Sequence, residues 1–420
     1  MNTSHADFYS KHNISPVSQN ITDLEFHFRR RSSLFYSLGI TPLLVTGSEV
    51  LEFGPGSGHN SIYTASLLPD RYLLVDGNPK GVYDTKKILE RYSGIDIQVM
   101  QSFFIDYKSD DRFDIVLAEG CVPHQAEPIN VLKHLSSFTK KNGIFMVSTN
   151  NGISYLSEII RRLAAFKHIK PHTSINEQIC LVRPILKPHL SNLKSMSRPV
   201  DDWILDNIIQ PLQDRKLLSV PDVINTLKGD FDTYNSSPKF IVDWRWYKDI
   251  TSDDKEFNKT ALDCYYKNNI NLIDYRFEFP PNSVTFGKEL EIICGQCWDI
   301  MCLIQNGDAS QWQTFINSLG EIARLISKKS PETSKAIIES SEWLQDGAPI
   351  DMGAEVFPRM VGQRATIFKS NKKVTLFVDE DPDRAENIHM GIPIKSVKDI
   401  ADLIISRLAK KNINFFLNPQ

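Results

Sequence analysis

A glycine loop between an apolar run and a predicted helix constrains this chain more than any other feature. The apolar run at 50–53 leads into Gly54, and Gly56 and Gly58 follow at alternate positions. Glycine lets a backbone turn tightly and approach a ligand closely, because it has no Cβ atom. The next apolar run along the chain ends in an acidic residue, Asp76. This layout is typical of a nucleotide-binding βαβ unit.

The residues that follow the glycines exclude two common nucleotide loops. The dinucleotide pattern G-x-G-x-x-G requires a glycine where His59 stands, and a P-loop requires Gly-Lys-Ser/Thr where Gly58-His59-Asn60 stands. What remains is Glu-x-Gly-x-Gly-x-Gly, beginning at Glu52. This motif resembles the first motif of class I S-adenosylmethionine (SAM)-dependent methyltransferases, and the resemblance covers roughly residues 48–150.

The resemblance implies SAM as the cofactor and assigns roles to the acidic residues. Glu52 lies where the cationic amino-acid group would be held, Asp76 would accept hydrogen bonds from the ribose hydroxyls, and Asp106 would accept one from the adenine amine. Structural alternatives are a salt-bridged Glu52, an Asp76 that caps the next helix, and an Asp106 that is an ordinary loop acid. The cofactor-binding positions implied are Glu52, Gly54, Gly56, Gly58, Asp76, Gly77, Asn78, Phe104, Asp106 and Glu119, with Phe103 or Phe104 against the adenine ring.

Strands alternate with helices through the first third of the chain, which predicts a parallel sheet covered on both faces. The predicted strands are 49–53, 72–76, 96–101, 113–118 and 143–148, and the helices between them are 58–68, 79–91 and 128–139. Together with the resemblance, this predicts an α/β fold: a doubly wound, seven-stranded, Rossmann-like methyltransferase sheet. A large helical insert is expected after strand five and between the last strands.

Four regions follow from this pattern. They are an N-terminal helical segment at 1–47, a SAM-binding core at 48–152, a mainly helical substrate-binding insert at 153–355, and a last core strand with a strand-helix extension at 356–420. Strand six is expected at 231–235 and strand seven at 362–368, and the prolines between 167 and 199 predict irregular structure. Further elements are predicted as helices at 256–268, 288–305, 309–327, 331–344 and 397–410 and a strand at 373–378.

The end of the fourth strand supplies the candidate catalytic residues. Its sequence is Glu119-Gly-Cys-Val-Pro-His124, which departs from the Asp/Asn-Pro-Pro-aromatic motif typical of methyltransferases that modify nucleic acid bases. Glu119 and His124 are candidates for removing a proton from the acceptor or for orienting it. The structural alternatives are a Glu119 that bonds the backbone or the cofactor's amino group, and a His124 without a role.

Candidate substrate residues lie further along the chain. Asn151 follows the fifth strand, and Trp244, Arg245, Trp246 and Tyr247 form an aromatic cluster around an arginine that is suited to a carboxylate or phosphate. Large aromatic residues at alternate positions are more often part of a protein core. The run 29–31 is Arg-Arg-Arg, which is either a solvated helix face or the source of an arginine that reaches the cofactor or an anionic substrate.

Composition limits the partners and the compartment. The chain of 420 residues has a net charge of −3, which gives no general attraction to nucleic acid. Its N-terminus is polar, and it has no apolar run near the length of a membrane span. We therefore expect a cytoplasmic protein. Cys294 and Cys297 form a lone C-x-x-C in an apolar run, which favours buried thiols over metal or redox chemistry, and no metal site is predicted. The expected partner is a small-molecule substrate, and the oligomeric state stays open, with a homodimer as one option.

The segments 236–240 and 243–247 extend the resemblance to a bacterial group of class I methyltransferases associated with surface-glycan and flagellar-glycosylation genes. This implies methyl transfer to oxygen or nitrogen of a small polar acceptor, such as a sugar or amino sugar of a cell-surface glycan. Alternatives are methylation of a protein or a secondary metabolite, a non-catalytic SAM-binding module, and an NAD-dependent oxidoreductase, which His59 disfavours.

Overall fold

The computed structural model describes residues 19, 21–123, 125–169, 173–190, 199–211, 216–250, 256–274 and 277–346, and three short strands between 377 and 396. The chain divides into two compact units, Met1–Lys369 and Ser370–Gln420. The predicted catalytic residue His124, the predicted strand seven at 362–368 and the predicted last helix at 397–410 lie outside the described residues.

The first unit is built on a five-stranded parallel sheet. Its strands run in the order β3-β2-β1-β4-β5. The core strands are buried on both faces, as expected of a parallel sheet that is covered by helices. The bounds are β1 Glu49–Phe53, β2 Arg71–Asp76, β3 Asp96–Gln101, β4 Phe113–Ala118 and β5 Thr139–Val147. All five strands predicted from the sequence therefore form, and only β5 begins clearly earlier than expected.

Alternate residues of the strands supply two apolar clusters, one for each face of the sheet. Leu51 and Phe53 belong to one cluster, and Val50 and Tyr72 belong to the other. This alternation follows from the two-residue period of a strand. The helices nearest the sheet in the chain are α1 Leu24–Ser37, α2 Pro42–Val45, α3 Ser61–Ser66, α4 Pro79–Leu89 and α5 Pro128–Ser136.

A helical region with its own apolar cluster follows the sheet. Its helices are α6 Gly152–Phe166, α7 Ile175–Leu190, α8 Val200–Ile204 with a π-helical continuation Leu205–Ile209, α9 Val220–Leu227, α10 Phe257–Asn268, α11 Val284–Gln305, α12 Gln311–Ile326 and α13 Pro331–Asp346. The insert predicted from the sequence is thus helical in its described part. Within the described residues, no helix has both the length and the apolar character to cross a membrane.

Two helices of the helical region, α6 and α11, cross at close range. A Cβ atom on Gly152 would fall inside van der Waals contact with the backbone of Cys294 and Gly295. Cys294 and Cys297 are both buried at this helix, and burial raises the pKa of Cys297 to about 12. The C-x-x-C pair therefore consists of buried thiols, as the sequence favoured.

The predicted sixth strand at 231–235 does not form. The Asn258 side chain bonds this backbone instead, accepting from Thr233 N–H at 2.9 Å and donating to the Phe231 carbonyl at 2.8 Å. One amide side chain therefore satisfies backbone groups that a neighbouring strand would otherwise pair. Phe231 still packs beside Phe145 of β5, with ring centroids 6.1 Å apart.

The segment from 167 to 199, predicted to be irregular, contains the helix α7. Val182, Ile185 and Leu186 are buried at helical spacing, and this apolar stripe packs in the cluster of the helical region. At its start, the Ser174 hydroxyl donates to Glu177 at 2.7 Å. Packing therefore outweighs the helix-breaking tendency of Pro184, whose side chain is exposed.

The second unit contains a small three-stranded sheet. Its strands are β6 Phe377–Asp379, β7 Ile388–His389 and β8 Ile392–Ser396, in the order β6-β8-β7. β6 pairs with β8 in parallel, and β7 pairs with β8 antiparallel. β6 overlaps the end of the strand predicted at 373–378.

Candidate functional site

The glycine loop turns sharply at the carboxyl end of β1. Gly54 and Gly56 have φ of +71° and +59°, a backbone conformation that residues with a Cβ rarely adopt. A Cβ atom on Gly54 would lie 2.6 Å from the Cβ atom of Cys121, just beyond β4. The loop therefore closes tightly over the carboxyl edge of the sheet, where ligands bind in open α/β folds.

Asp76, at the end of β2, ties this loop to the next one. Its Oδ2 accepts from the Gly56 N–H at 3.0 Å, and its Oδ1 accepts from the Asn78 N–H at 2.8 Å. Burial raises the pKa of Asp76, which the two backbone donors oppose. Asn78 itself caps α4 by accepting from Lys80 N–H, so the cap is Asn78 rather than Asp76. Each carboxylate oxygen keeps a further lone pair for a ligand hydroxyl.

An exposed aromatic ring stands beside this acidic residue. Phe103 is 56% exposed, and it lies so near the loop that a Cβ atom on Gly77 would be 2.9 Å from its ring. Phe104 is buried against Phe53, with centroids 5.8 Å apart, and Asp106 is exposed at the end of the turn Phe104–Asp106. Of the two rings considered from the sequence, Phe103 is thus the one with a free face.

Glu52 lies beneath the glycine loop and is held by two hydroxyl groups. Ser61 donates to Oε1 at 2.9 Å, and Tyr72 donates to Oε2. Burial is the main cause that raises the pKa of Glu52 to about 7. Both oxygens are engaged within the protein, so Glu52 supports the loop from below.

The acidic residue at the end of β4 forms a buried ion pair with the N-terminal helix α1. Arg31 donates to both oxygens of Glu119, at 2.8 and 2.7 Å, and is itself 4% exposed. Burial alone would lower the pKa of Arg31, but the charge and hydrogen bonds of Glu119, together with the charges of Glu52 and Tyr72, outweigh it, and the pKa is raised. Asn60, after the glycine loop, donates to Glu119 at 3.4 Å. Of the three arginines at 29–31, Arg31 is the one that reaches the site, a pairing that the sequence does not reveal.

Two buried polar atoms beside Glu119 have no hydrogen-bond partner among the described residues. They are Nε of Arg31, a donor, and Oδ1 of Asn60, an acceptor. A buried polar group without a partner is costly, and such groups commonly meet water or a ligand. An unmet donor and acceptor around an Arg–Glu pair suit a zwitterionic amino-acid group. With Asp76 for a ribose and Phe103 for a purine, the residues present fit SAM.

The glycine loop is also held from the N-terminal side. His27 Nε2 lies 2.7 Å from the carbonyl oxygen of His59, and Gln19 N–H donates to His59 Nδ1 at 2.9 Å. The pKa of His59 and of His27 is lowered by burial. His59, which excluded the dinucleotide pattern, thus anchors the segment that carries Arg31.

The candidate substrate residues do not form one cluster. Asn151 is fully buried, caps α6 by accepting from Ser154 N–H at 2.8 Å, and donates to the hydroxyl of Tyr265. The aromatic segment is exposed instead: Trp244 is 93%, Trp246 58% and Tyr247 72% exposed. Arg245 pairs with Asp243 at 2.6 Å. These aromatic side chains are therefore not core residues.

Residues 27–181 match a family model described as a methyltransferase domain. With the parallel sheet and the loop geometry above, this segment is similar to methyltransferase domains of the class I α/β type, and the cofactor of those domains is SAM.

A ribosomal protein L11 methyltransferase of Thermosipho africanus is 33% identical over 138 residues, which cover 32% of this chain and 48% of the relative. The chain thus spans about half the length of the curated relative it matches. An N-methyltransferase NodS of Bradyrhizobium japonicum, solved with S-adenosylhomocysteine, has 14% identity and a TM-score of 0.29, covering 34% of this chain and 74% of that one. PKMT2 of Rickettsia typhi, solved with the same product, has 21% identity and a TM-score of 0.30, covering 42% and 34%.

Proposed function

We propose that this protein is a SAM-dependent methyltransferase that transfers a methyl group to oxygen or nitrogen of a small polar acceptor. The observation that carries the proposal is the arrangement of the glycine loop, Asp76 and the Arg31–Glu119 pair at one edge of the sheet. SAM, when bound, supplies an electrophilic methyl group on a sulfonium. The chain's own contribution is then to hold the cofactor, to align the acceptor and to exclude water.

The roles of the binding residues follow from their chemistry. Asp76 accepts from the ribose hydroxyls, and the free face of Phe103 packs on the adenine. Arg31 can donate hydrogen bonds to the carboxylate of the cofactor, and Glu119 and Asn60 can accept hydrogen bonds from its ammonium group. A paired Glu119 is therefore better suited to hold the cofactor than to take a proton from the acceptor, because both its oxygens already accept from Arg31.

The binding of S-adenosylhomocysteine, measured by calorimetry, tests the cofactor site. We expect Asp76→Ala to weaken binding at least tenfold. The variant loses two hydrogen bonds between the ligand and a carboxylate, and each such bond contributes about 1.5–3 kcal/mol. Asp96→Ala is the matched control, since Asp96 is exposed at the opposite, amino end of the sheet. Equal affinity of the Asp76 variant and the wild type would contradict the proposed site.

The proposed acceptor class is a sugar or amino sugar of a cell-surface glycan. It rests on the resemblance of segments 236–240 and 243–247, and the exposed Trp244 and Trp246 offer flat faces on which a sugar can stack. Mass spectrometry of surface sugars and nucleotide-sugar pools, with and without the gene, should show sugars heavier by one CH2 unit only when the gene is present. The absence of such a shift in every carbohydrate would remove the glycan and leave the methyltransferase.

A protein acceptor is the second candidate, and the identity to a ribosomal protein L11 methyltransferase over 138 residues favours it. Incubation of the protein with labelled SAM and purified ribosomal proteins distinguishes the two. Label in a protein band would favour this candidate over a small molecule.

A further inference from the structure

A cluster of hydrogen-bonding side chains lies at the carboxyl end of β5, away from the cofactor residues. Asn151 lies four residues after the end of β5, and its amide donates to the hydroxyl of Tyr265 on α10. β5 lies two places from β1 in the sheet order, so this end is roughly 10 Å across the sheet from the glycine loop at the usual strand spacing. The cluster thus stands on the same edge as the cofactor site, at the distance of an adjacent ligand.

Glu291 of α11 completes the cluster at its rim. Its Oε2 accepts from the Tyr265 hydroxyl at 2.6 Å and lies 3.5 Å from the amides of Asn151 and Asn269. Asn151, Tyr265 and Asn269 are buried, whereas Glu291 is only partly buried. Glu291 is therefore the member of the cluster with the most solvent exposure, and it contacts the three buried polar groups.

Within the described ranges, the cluster has one hydrogen-bond acceptor without a partner, and it contains a carboxyl group. Oδ1 of Asn269, a residue 2% exposed, has no partner among the described residues, while its amide donates to the Gly287 carbonyl at 2.8 Å. No lysine or arginine in the described part of the chain forms an ion pair with Glu291. An unmet amide oxygen beside a carboxylate without an ion pair suits a hydrogen-bond donor that is also a cation, such as an ammonium group, and the carboxylate repels other carboxylates and phosphates.

The other titratable groups near Glu291 strengthen this preference. Asp222 of α9 acts on Glu291 by charge, and Tyr266 of α10 and Cys294 of α11 are affected by Glu291 in turn. The nearby cation, Lys288, lies over the outer ring of Tyr266 at 5.3 Å. Burial is the largest cause that raises the pKa of Glu291 to about 7, so this carboxyl exchanges a proton near neutral pH.

We propose that Glu291, with Tyr265, Asn151 and Asn269, binds the amino group of the methyl acceptor and receives its proton. The proposal rests on the proposed methyltransferase function and narrows its acceptor to an amine. An ammonium gives one proton to the Glu291 carboxylate, which later passes it to water. The nitrogen–carbon bond that then forms replaces the sulfur–carbon bond of the cofactor, so the products are a methylated ammonium, S-adenosylhomocysteine and one proton.

The test uses the full chain with methylamine and ethanolamine as amine probes, and methanol and ethylene glycol as hydroxyl probes. Calorimetry measures binding of each probe to the S-adenosylhomocysteine complex, and mass spectrometry measures S-adenosylhomocysteine formation from SAM between pH 5.5 and 9. We expect the amines alone to bind and react, with a rate that rises with pH through about 7, as Glu291 ionises.

The variants separate a role in the reaction from a role in folding. Glu291→Gln keeps the shape and can still accept from Tyr265, and we expect about a hundredfold lower rate, as for loss of a general base. The inflection near pH 7 should disappear, and the rise that remains should follow the ionisation of the amine alone. Tyr265→Phe should weaken amine binding while S-adenosylhomocysteine binding is kept. Glu289→Gln, on an exposed position of the same helix, is the matched control.

Each outcome supports or overturns the proposal. Binding of S-adenosylhomocysteine without binding of either amine would overturn it and leave the methyltransferase proposal standing, as would reaction of the hydroxyl probes alone or a wild-type pH profile in Glu291→Gln. A protein that binds neither SAM nor S-adenosylhomocysteine would overturn the proposed function, and this inference with it.

Discussion

Single side chains of this domain are in environments that their neighbours in sequence do not specify. Glu52 begins the glycine motif, where it was assigned to the cofactor's cationic group, yet in the structure it is enclosed by Ser61 and Tyr72. Arg31 and Glu119, 88 positions apart, form the charged pair at the site. In the proposed site, the charges that complement the cofactor therefore come from long-range contacts, and Glu52 supports the loop beneath them.

The buried Glu52 should make stability depend on pH. Its pKa is about 7 when folded against 4.5 ordinarily, so the unfolded chain loses the proton first as the pH rises. Stability from this group is fully present below pH 4.5 and is lost as the pH rises through 7. Between these pH values, the free energy of unfolding of Glu52→Gln should therefore rise by about 3 kcal/mol relative to that of the wild type.

Urea unfolding at a series of pH values measures this difference. Glu90→Gln, an exposed position at the end of α4, serves as the control and should keep a constant difference from the wild type. A constant difference for the Glu52 variant as well would mean that Glu52 ionises in the folded protein as it does in water.

At the scale of helices and strands, tertiary packing decides which conformation a segment adopts where its local sequence propensity does not. The helix α7 forms despite two prolines because its apolar stripe is buried, whereas the predicted strand at 231–235 does not form because Asn258 bonds its backbone. The crossing of α6 and α11 depends on one glycine in the same way. Gly152 permits a backbone approach that any larger residue would prevent.

This crossing predicts different effects of two glycine substitutions. Gly152→Ala should cost about 3 kcal/mol, because its Cβ atom would meet the backbone of Cys294 and Gly295, which cannot move independently. Gly295→Ala is the control at the same crossing, since its Cβ atom would meet nothing within 4 Å. Because position 295 lies within α11, the Gly295→Ala variant should be more stable than the wild type by about 0.5–1 kcal/mol, owing to the higher helix propensity of alanine.

Thermal unfolding of both variants measures the two effects. A Gly152→Ala protein as stable as the wild type would show that the two helices can separate without cost.

At the scale of the whole molecule, the proposed cofactor site joins elements that are far apart in the chain. Its residues come from α1, from the loops after β1, β2, β3 and β4, and from the start of α4. A ligand bound to the folded state alone stabilises every element that must be in place to form its site. Binding is therefore coupled to folding of the sheet and of α1 together.

We expect S-adenosylhomocysteine to raise the unfolding temperature in proportion to the logarithm of its concentration. At a hundred times the dissociation constant, the stabilisation should be about 2.7 kcal/mol. Differential scanning calorimetry of the wild type and of Asp76→Ala measures it, with the variant needing higher ligand concentrations for the same shift. If the ligand left the unfolding temperature unchanged, the proposed site would not bind the ligand in the folded protein.

The sequence by itself determined the parallel sheet, the tight loop and the class of cofactor. These features depend on local signals: short apolar runs that alternate with helical segments, three glycines at alternate positions and an acidic residue at a strand end, each of which lies within a short stretch of the chain. Only the tertiary structure decided that Arg31 pairs with Glu119, that Phe103 rather than Phe104 is exposed, and that Asn151 meets Tyr265 across 114 positions. Such contacts leave no periodic trace, because side chains from separate elements meet only after packing has fixed the backbone around them.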